Sequence, residues 1–299
     1  MVAYVVEALE EVTLDVTRAG GRLAGYDLMS PFVWCEGGAY RLLVRVLPDP
    51  LGPDDPTGII WGGDSNDGRV FAMHDTPAIR PGPDADDAGG CEDPTVVTGP
   101  DGYRIFYTGV DATRSQGCLM VASGHDLTAL VKQAVMLKAP VGEGNIKEAT
   151  IATAADGSVR LFYEYAKDGA SRIGMAAAPS IAGPWSVCAD PFGIRADGWD
   201  NWHLSTGPIV QRAGADPVMF YNGATIDARW RIGWVSFSPD FTSVTGRGIE
   251  PILMPPPATD RTATDIAFAA STVAAGADDW LYYSLEDRIL RRALVRRYG

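Results

Sequence analysis

The sequence predicts an all-β protein, a five-bladed β-propeller with four-stranded antiparallel blades around a central cavity. Three observations carry that reading. A turn followed by an aromatic or apolar strand recurs in five copies, about 60 residues apart. The last four copies have an apolar strand upstream and another behind a polar turn. No long helical periodicity competes with them.

Residues 3–17 read as one or two strands, ending near Gly20-Gly21. Gly37-Gly38 then turns the chain into Tyr40 and the apolar run 41–46, the first copy. A Pro- and Asp-rich loop at 47–57 leads to Ile59-Ile60-Trp61, and Ser65-Asn66-Asp67-Gly68 turns into the strand 69–73. Residues 77–90 are polar and rich in Pro and Gly, a surface loop. The figure returns as Asp101-Gly102 before Tyr103–Tyr107 and as Asp156-Gly157 before Val159–Tyr163. It returns twice more, as Asp216-Pro217 before Val218–Tyr221 and Asp278-Asp279 before Trp280–Tyr283. Upstream strands fit 94–97, 149–151, 208–210 and 269–273. Helix is expected in short pieces at most, as at 127–138. Residues 1–299 are expected to form one domain, because a ring must close before its edges are protected; the N-terminal strand would pair with the last copy.

Composition narrows the function. Asp and Glu total 38 against 25 Lys and Arg, a net charge of −13, which disfavours nucleic acid or an anionic membrane as the main partner. Cys35, Cys91, Cys118 and Cys188 form no CxxC pair, so reduced thiols are expected. The histidines are His74, His125 and His203, with no ligand spacing, so neither a metal nor another cofactor is expected. Residues 1–10 lack a basic start, and no apolar run is long enough to span a bilayer, so a cytoplasmic location is expected. The expected partner is a small carbohydrate; oligomeric state stays open. Serine-nucleophile chemistry lacks a GxSxG elbow, and Gly142–Lys147 lacks the ending of a phosphate loop.

In a propeller, the residues just before each innermost strand are gathered at one end of the cavity. That position holds Asp93, the pair Lys147-Glu148, residues 203–206 and Asp265, with the region 27–30 in the first copy. Proline after Asp93 is expected to bias it toward extended backbone. An ionisable residue recurs at this place, and glycoside cleavage needs such groups: one carboxylic acid protonates the leaving oxygen and a second directs the nucleophile. Asp93 and Glu148 lead, with Glu92, Asp265, Asp287 and Asp27 behind them. Each alone is more often a cap or turn residue; the repeated placement is what lifts the set. Trp199, Trp202, His203 and Tyr221 offer a sugar platform, or blade packing.

Ser65-Asn66-Asp67-Gly68 followed by Gly90-Cys91-Glu92-Asp93-Pro94 resembles the SxDG and GxEDPR signature of glycoside hydrolase family 130, the β-mannoside phosphorylases and β-1,2-mannosidases. Lys147-Glu148-Ala149, Tyr221-Asn222-Gly223 and Tyr282-Tyr283 with Asp287 are similar to its later segments. The resemblance implies a five-bladed propeller that cleaves β-mannosides with inversion, Asp93 being the general acid. It implies a substrate or phosphate site including Arg45, Ser65, Asn66, Asp67, Glu92, Lys147, Tyr221 and Asn222, to which the cavity-end position adds Trp202, His203 and Asp265 as expected substrate contacts. Thr95 stands where the family has an arginine, and Asn222 where it has a histidine. Losing a guanidinium weakens the hold on a phosphate dianion, so hydrolysis with Glu148 or Asp287 activating water is expected over phosphorolysis. Arg114 is the candidate replacement cation. The other readings are a phosphate-dependent β-mannoside phosphorylase, an arabinan- or fructan-type glycosidase, and a non-catalytic carbohydrate-binding propeller.

Overall fold

The computed structural model describes residues 3–140, 144–257 and 265–299; part of the Gly142–Lys147 stretch weighed above lies outside them. Five radial blades form the ring. Blade 1 runs outward from Tyr26–Glu36 through Ala39–Pro48, Ile59–Ser65 and Val70–Ile79. Blade 2 comprises Gly90–Gly99, Gly102–Val110, Gly117–Gly124 and Val131–Lys132. Blade 3 comprises Ile146–Thr153, Val159–Lys167, Ala170–Ala178 and Ser186–Val187. Blade 5 comprises Ala267–Ala275, Asp278–Leu285, Ile289–Tyr298 and, as its outer strand, Ala3–Glu11.

The ring closes as the sequence implies, through Ala3–Glu11 against the terminal strand. The next strand, Thr13–Asp15, crosses to blade 1 and adds a fifth, parallel strand to it. The N-terminus thus ties the last blade to the first. The helix expected within 127–138 is replaced by the edge strand of blade 2 and a bridge between Leu119 and Leu137. No helix occurs among the described residues.

Blade 4 is broken across its width into two sheets. His203–Ser205, Asn222–Ala224 and Trp230–Ile232 form one, and Ile209–Val210, Val218–Met219, Val235–Phe237 and Val244–Arg247 the other. The break in the inner strand falls at Gly207-Pro208. A Cβ on Gly207 would stand 1.8 Å from the Phe220 carbonyl oxygen, so only glycine fits there.

The recurring aromatic pair explains the packing between blades. Successive residues on a strand face opposite ways, so each second strand feeds both neighbouring cores. Phe106 faces the core shared by blades 2 and 3, and Tyr107 the one shared by blades 1 and 2. Phe162 and Tyr163, Phe220 and Tyr221, and Tyr282 and Tyr283 divide in the same manner. All eight rings are buried. Each contributes about 2–3 kcal/mol of apolar burial.

Candidate active site

Four inner strands carry a bulge at the same level, marked by register shifts at Met29/Phe32, Glu92/Thr95, Lys147/Thr150 and Ala269/Ser271. In blades 1 to 3 the bulged residue is left-handed: Ser30 at φ 52°, Asp93 at φ 50° and Glu148 at φ 55°. Asp93 is therefore not extended, as the proline after it suggested. Pro31 and Pro94 follow the bulged residue, where no ladder hydrogen bond is needed from their nitrogen. Left-handed backbone costs about 1–2 kcal/mol per residue in the absence of glycine, and three such residues face one end of the channel.

Hydroxyl groups stitch the bulges together around the ring. Thr95 Oγ1 donates to the Ala149 carbonyl (2.5 Å), Thr206 Oγ1 to that of Glu148 (2.7 Å) and Thr150 Oγ1 to that of Gly207 (3.1 Å). Ser271 Oγ donates to the Pro31 carbonyl (2.7 Å), joining blades 5 and 1. Asn222 joins blades 4 and 5 by donating to the Thr206 and Ala269 carbonyls while accepting from the Ala269 amide. Thr95 and Asn222, which stand where the resembled family has an arginine and a histidine, both serve this framework.

The bulges bring five carboxyl groups and two cations together. Ser30 Oγ donates to Asp93 Oδ1 at 2.7 Å, and Arg45 Nη1 lies 3.6 Å from the same oxygen. Glu92 is buried between Arg45 Nη2 (2.8 Å) and Lys147 Nζ (3.1 Å). Burial pushes its carboxyl up, but Arg45 and Lys147 outweigh burial and hold it below the ordinary value. Glu92 is thus ionised and fixes both cations. Arg45 is further pinned by the Thr57 carbonyl, which accepts from its Nε (3.0 Å) and Nη2 (2.7 Å).

Glu148 has the opposite character. Enclosure by protein, the charge of Asp93 and then that of Glu164 raise its carboxyl well above the ordinary value, and its side chain hydrogen-bonds Asp93. Asp93, which accepts from Ser30, and Glu148 border the same small cavity. Asp287, left-handed at φ 51° in the turn between the second and third strands of blade 5, approaches from the other side. Burial pushes its carboxyl up to about 6, with Arg45 opposing and Asp93 and Asp27 assisting.

Glu164 escaped the sequence reading. It pairs in register with Lys147 as Arg45 does with Met29, so it holds in blade 3 the place of Arg45 in blade 1. Burial raises its carboxyl, Ser205 and Ser171 offset part of that, and Ser171 Oγ donates to Oε1 at 2.9 Å. Its signal was the residue after each second-strand aromatic pair: Thr108, Glu164, Asn222 and Ser284.

Other expected residues lie elsewhere. Ser65, Asn66 and Asp67 form a hairpin turn at the far end of blade 1, five residues along the strand from Ile60, the register partner of Arg45. That is about 17 Å away. Ser65 and Asp67 are turn residues: the Asp67 carboxylate accepts from the Arg69 and Val70 amides, which lower it to about 2. Tyr221 is fully buried and donates to Asp200 at 2.6 Å, with Trp199 stacked on its ring at 5.5 Å. The Tyr221 ring therefore has no face open to a sugar, while Trp199 packs one face on it and is partly buried. Arg114 donates to the Pro53 carbonyl (2.8 Å) and that of Asp55, holding a loop rather than facing the carboxylates. Asp27 is 3.6 Å from Arg288 and reaches the cluster only through its field at Asp287. Trp202, His203 and Asp265 lie at the carboxylate end, beside blades 4 and 5. No metal-binding group of three or more ligands occurs among the described residues.

No family model and no curated protein sequence matches the chain. Solved structures do. The β-1,2-mannobiose phosphorylase of Listeria innocua, in complex with β-1,2-mannobiose, superposes with a TM-score of 0.75 at 18% identity over 91% of this chain and 90% of its own. A glycosyl hydrolase from Bacteroides ovatus gives a TM-score of 0.71 at 20% identity, covering 90% and 84%. A structure described with glycoside hydrolase family 130 hydrolases that target β-1,2-mannosidic linkages gives 0.73 at 20% identity, covering 90% and 84%. The fold is therefore the β-propeller of glycoside hydrolase family 130.

Proposed function

We propose that this protein is a carbohydrate-active enzyme that cleaves a β-mannoside or related oligosaccharide, with the Asp93–Glu148 pair as its proton donor. The observation that carries the reading is that pair: two carboxyls on strained bulges of adjacent blades, bordering one small cavity. Two carboxyls this close leave no room for a water or a sugar carbon, since an acid and base on opposite faces stand about 6.5–9.5 Å apart in inverting enzymes. They act as one acid. A base must be ionised, and the raised Glu148 carboxyl suits that role poorly, so of the two expected candidates, Glu148 and Asp287, the base is Asp287. With a carboxyl at about 6, Asp287 is mostly ionised at neutral pH yet basic enough to draw a proton from water.

The acceptor separates two readings. Hydrolysis is favoured by the charge balance: Arg45 and Lys147 are both satisfied by Glu92, and Thr95 is committed to the Ala149 carbonyl. A phosphate dianion would enter a site with more carboxyls than cations. Phosphorolysis is favoured by the likeness to a mannobiose phosphorylase and by the presence of those two cations. Product analysis on β-linked manno-oligosaccharides with and without inorganic phosphate separates them. Free mannose at a rate independent of phosphate is expected. Mannose 1-phosphate formed only with phosphate would replace water by phosphate as acceptor, and no turnover of any oligosaccharide would overturn the glycosidase reading.

A further inference from the structure

The end of the ring opposite the carboxylates holds a cleft of about 720 Å³ between blades 1 and 2. Its blade 1 wall is a row across the sheet: Trp34, Arg41 and Asp64 are register partners on the first three strands and so share a face. Arg41 lies four residues along its strand from Arg45, which places the row about 13 Å from the carboxyl cluster. Arg41 donates through Nη1 to Asp64, and His74 Nε2 lies 3.1 Å from the other oxygen of that carboxylate. Gly62 makes room for the imidazole, since a Cβ there would stand 2.9 Å from His74 Nδ1. Tyr103 forms the blade 2 wall; its hydroxyl donates to Glu36, and the Trp34 ring meets its own edge-on at 6.0 Å. Both walls are therefore fixed.

Two donors in that seam have no acceptor in the protein: Arg41 Nε, 3.7 Å from Glu36 Oε2, and Trp34 Nε1. Both atoms are buried, and a buried N–H without a partner costs about 1–3 kcal/mol. In a wall this well fixed, such donors point to a ligand that supplies acceptors. The rim adds Arg18 and His125, both exposed, and the carboxylates of Asp75 and Asp126. These charges do not suit an ion. An anion would meet Asp64, Asp75 and Asp126 beside the two guanidiniums, and no set of three metal ligands occurs among the described residues. Donors alternating with acceptors around a half-exposed tyrosine ring suit hydroxyl groups, each of which can donate and accept, on a molecule with an apolar face. The volume falls within the range of about 300–1,000 Å³ usual for small-ligand sites.

We infer that this cleft is a second carbohydrate site, separate from the catalytic one and on the opposite face of the ring, and that it takes a neutral oligosaccharide. Arg41 and Arg18 donate to its hydroxyls, Asp75 and Asp126 accept from them, and Tyr103 carries its apolar face. No bond is made or broken there. The site holds a glycan chain to the protein while a chain end is processed at Asp93–Glu148. Binding in the cleft needs no turnover, so the proposal stands or falls apart from the glycosidase reading.

The test titrates the full chain carrying Asp93→Asn with β-linked manno-oligosaccharides of two to five units in a calorimeter. Two equivalents are expected to bind per chain. Arg18→Ala with His125→Ala, both on the exposed rim, should weaken one equivalent at least tenfold and leave the other within twofold. The conservative pair Arg18→Lys with His125→Gln keeps the donors and should retain most of the affinity. Placed in the active chain, either pair should leave kcat and KM on a short aryl mannoside within twofold, which shows that the fold is intact. A single equivalent that the alanine pair does not touch overturns the far-face site and leaves the glycosidase reading standing. A single equivalent that the pair removes, with no turnover by the active chain, upholds the far-face site and overturns the glycosidase reading. Inorganic phosphate held in the cleft and lost with the same pair, with no oligosaccharide bound there, would overturn the assignment to a neutral ligand. Failure to bind any oligosaccharide overturns the far-face site and the glycosidase reading together.

Discussion

Replacing Asp287 with asparagine should make the protein more stable at neutral pH, and the size of the gain follows from the site. The Asp287 carboxyl is pushed from 3.8 to about 6, chiefly by burial. Between those two values the unfolded chain has released its proton and the folded chain has kept it. Stability therefore falls as pH rises through that window, and the loss is complete above about pH 6. Each pKa unit is worth about 1.4 kcal/mol, which sets a ceiling of about 3 kcal/mol. Asp287 keeps part of its surface in water, so about 2 kcal/mol is expected. Asparagine has the shape of the protonated acid without its titration. Urea unfolding of both proteins from pH 3.5 to 8 should give equal stabilities at the acid end and a variant about 2 kcal/mol more stable above pH 6.5. The same variant should lose most of its turnover, because it has lost the base. A stability difference that does not change with pH, or one favouring the native carboxylate at pH 7, would refute the reasoning about this group.

Two further substitutions probe the neighbours. Glu164→Gln removes a charge that helps to raise the Glu148 carboxyl, so the alkaline limb of the pH–rate profile should move to lower pH while the fold persists; an unmoved limb would place Glu164 outside the proton inventory. Asn222→Ala leaves two buried carbonyls and one buried amide without their partner, and should lower stability by about 2–4 kcal/mol in urea unfolding. An unchanged unfolding midpoint with a raised KM would instead make Asn222 a substrate contact.

The ring was legible because the aromatic pair obeys two constraints at once, strand alternation and burial on both faces, and so repeats in the sequence. Asp93 and Glu148 were legible because the upstream mouth of an inner strand is a fixed place in any propeller. The bulge itself was not. Pro94 argued for extended backbone at Asp93, but the register on both sides of the bulge is set by pairing with the second strand, and that pairing overrides the local preference. Glu164 was missed because it lies inside a strand, where a charged residue reads as a solvent-facing position; its meaning comes from its partner Lys147 across the ladder. Ser65, Asn66 and Asp67 misled for the converse reason. A Ser-x-Asp-Gly stretch is also a self-sufficient hairpin turn, and Ser65 and Asp67 are bound to that turn.

Whether Asp93 and Glu148 act as one acid is tested by the turnover of Asp93→Asn, Glu148→Gln and the double variant on a natural oligosaccharide. An aryl mannoside with a good leaving group run beside it shows whether the missing step is protonation. Each single variant should lose at least a hundredfold in kcat on the oligosaccharide, the double variant should be little worse than either, and the aryl mannoside should recover much of the loss. Near-normal kcat in Asp93→Asn on both substrates, or single losses that multiply in the double variant, would contradict it.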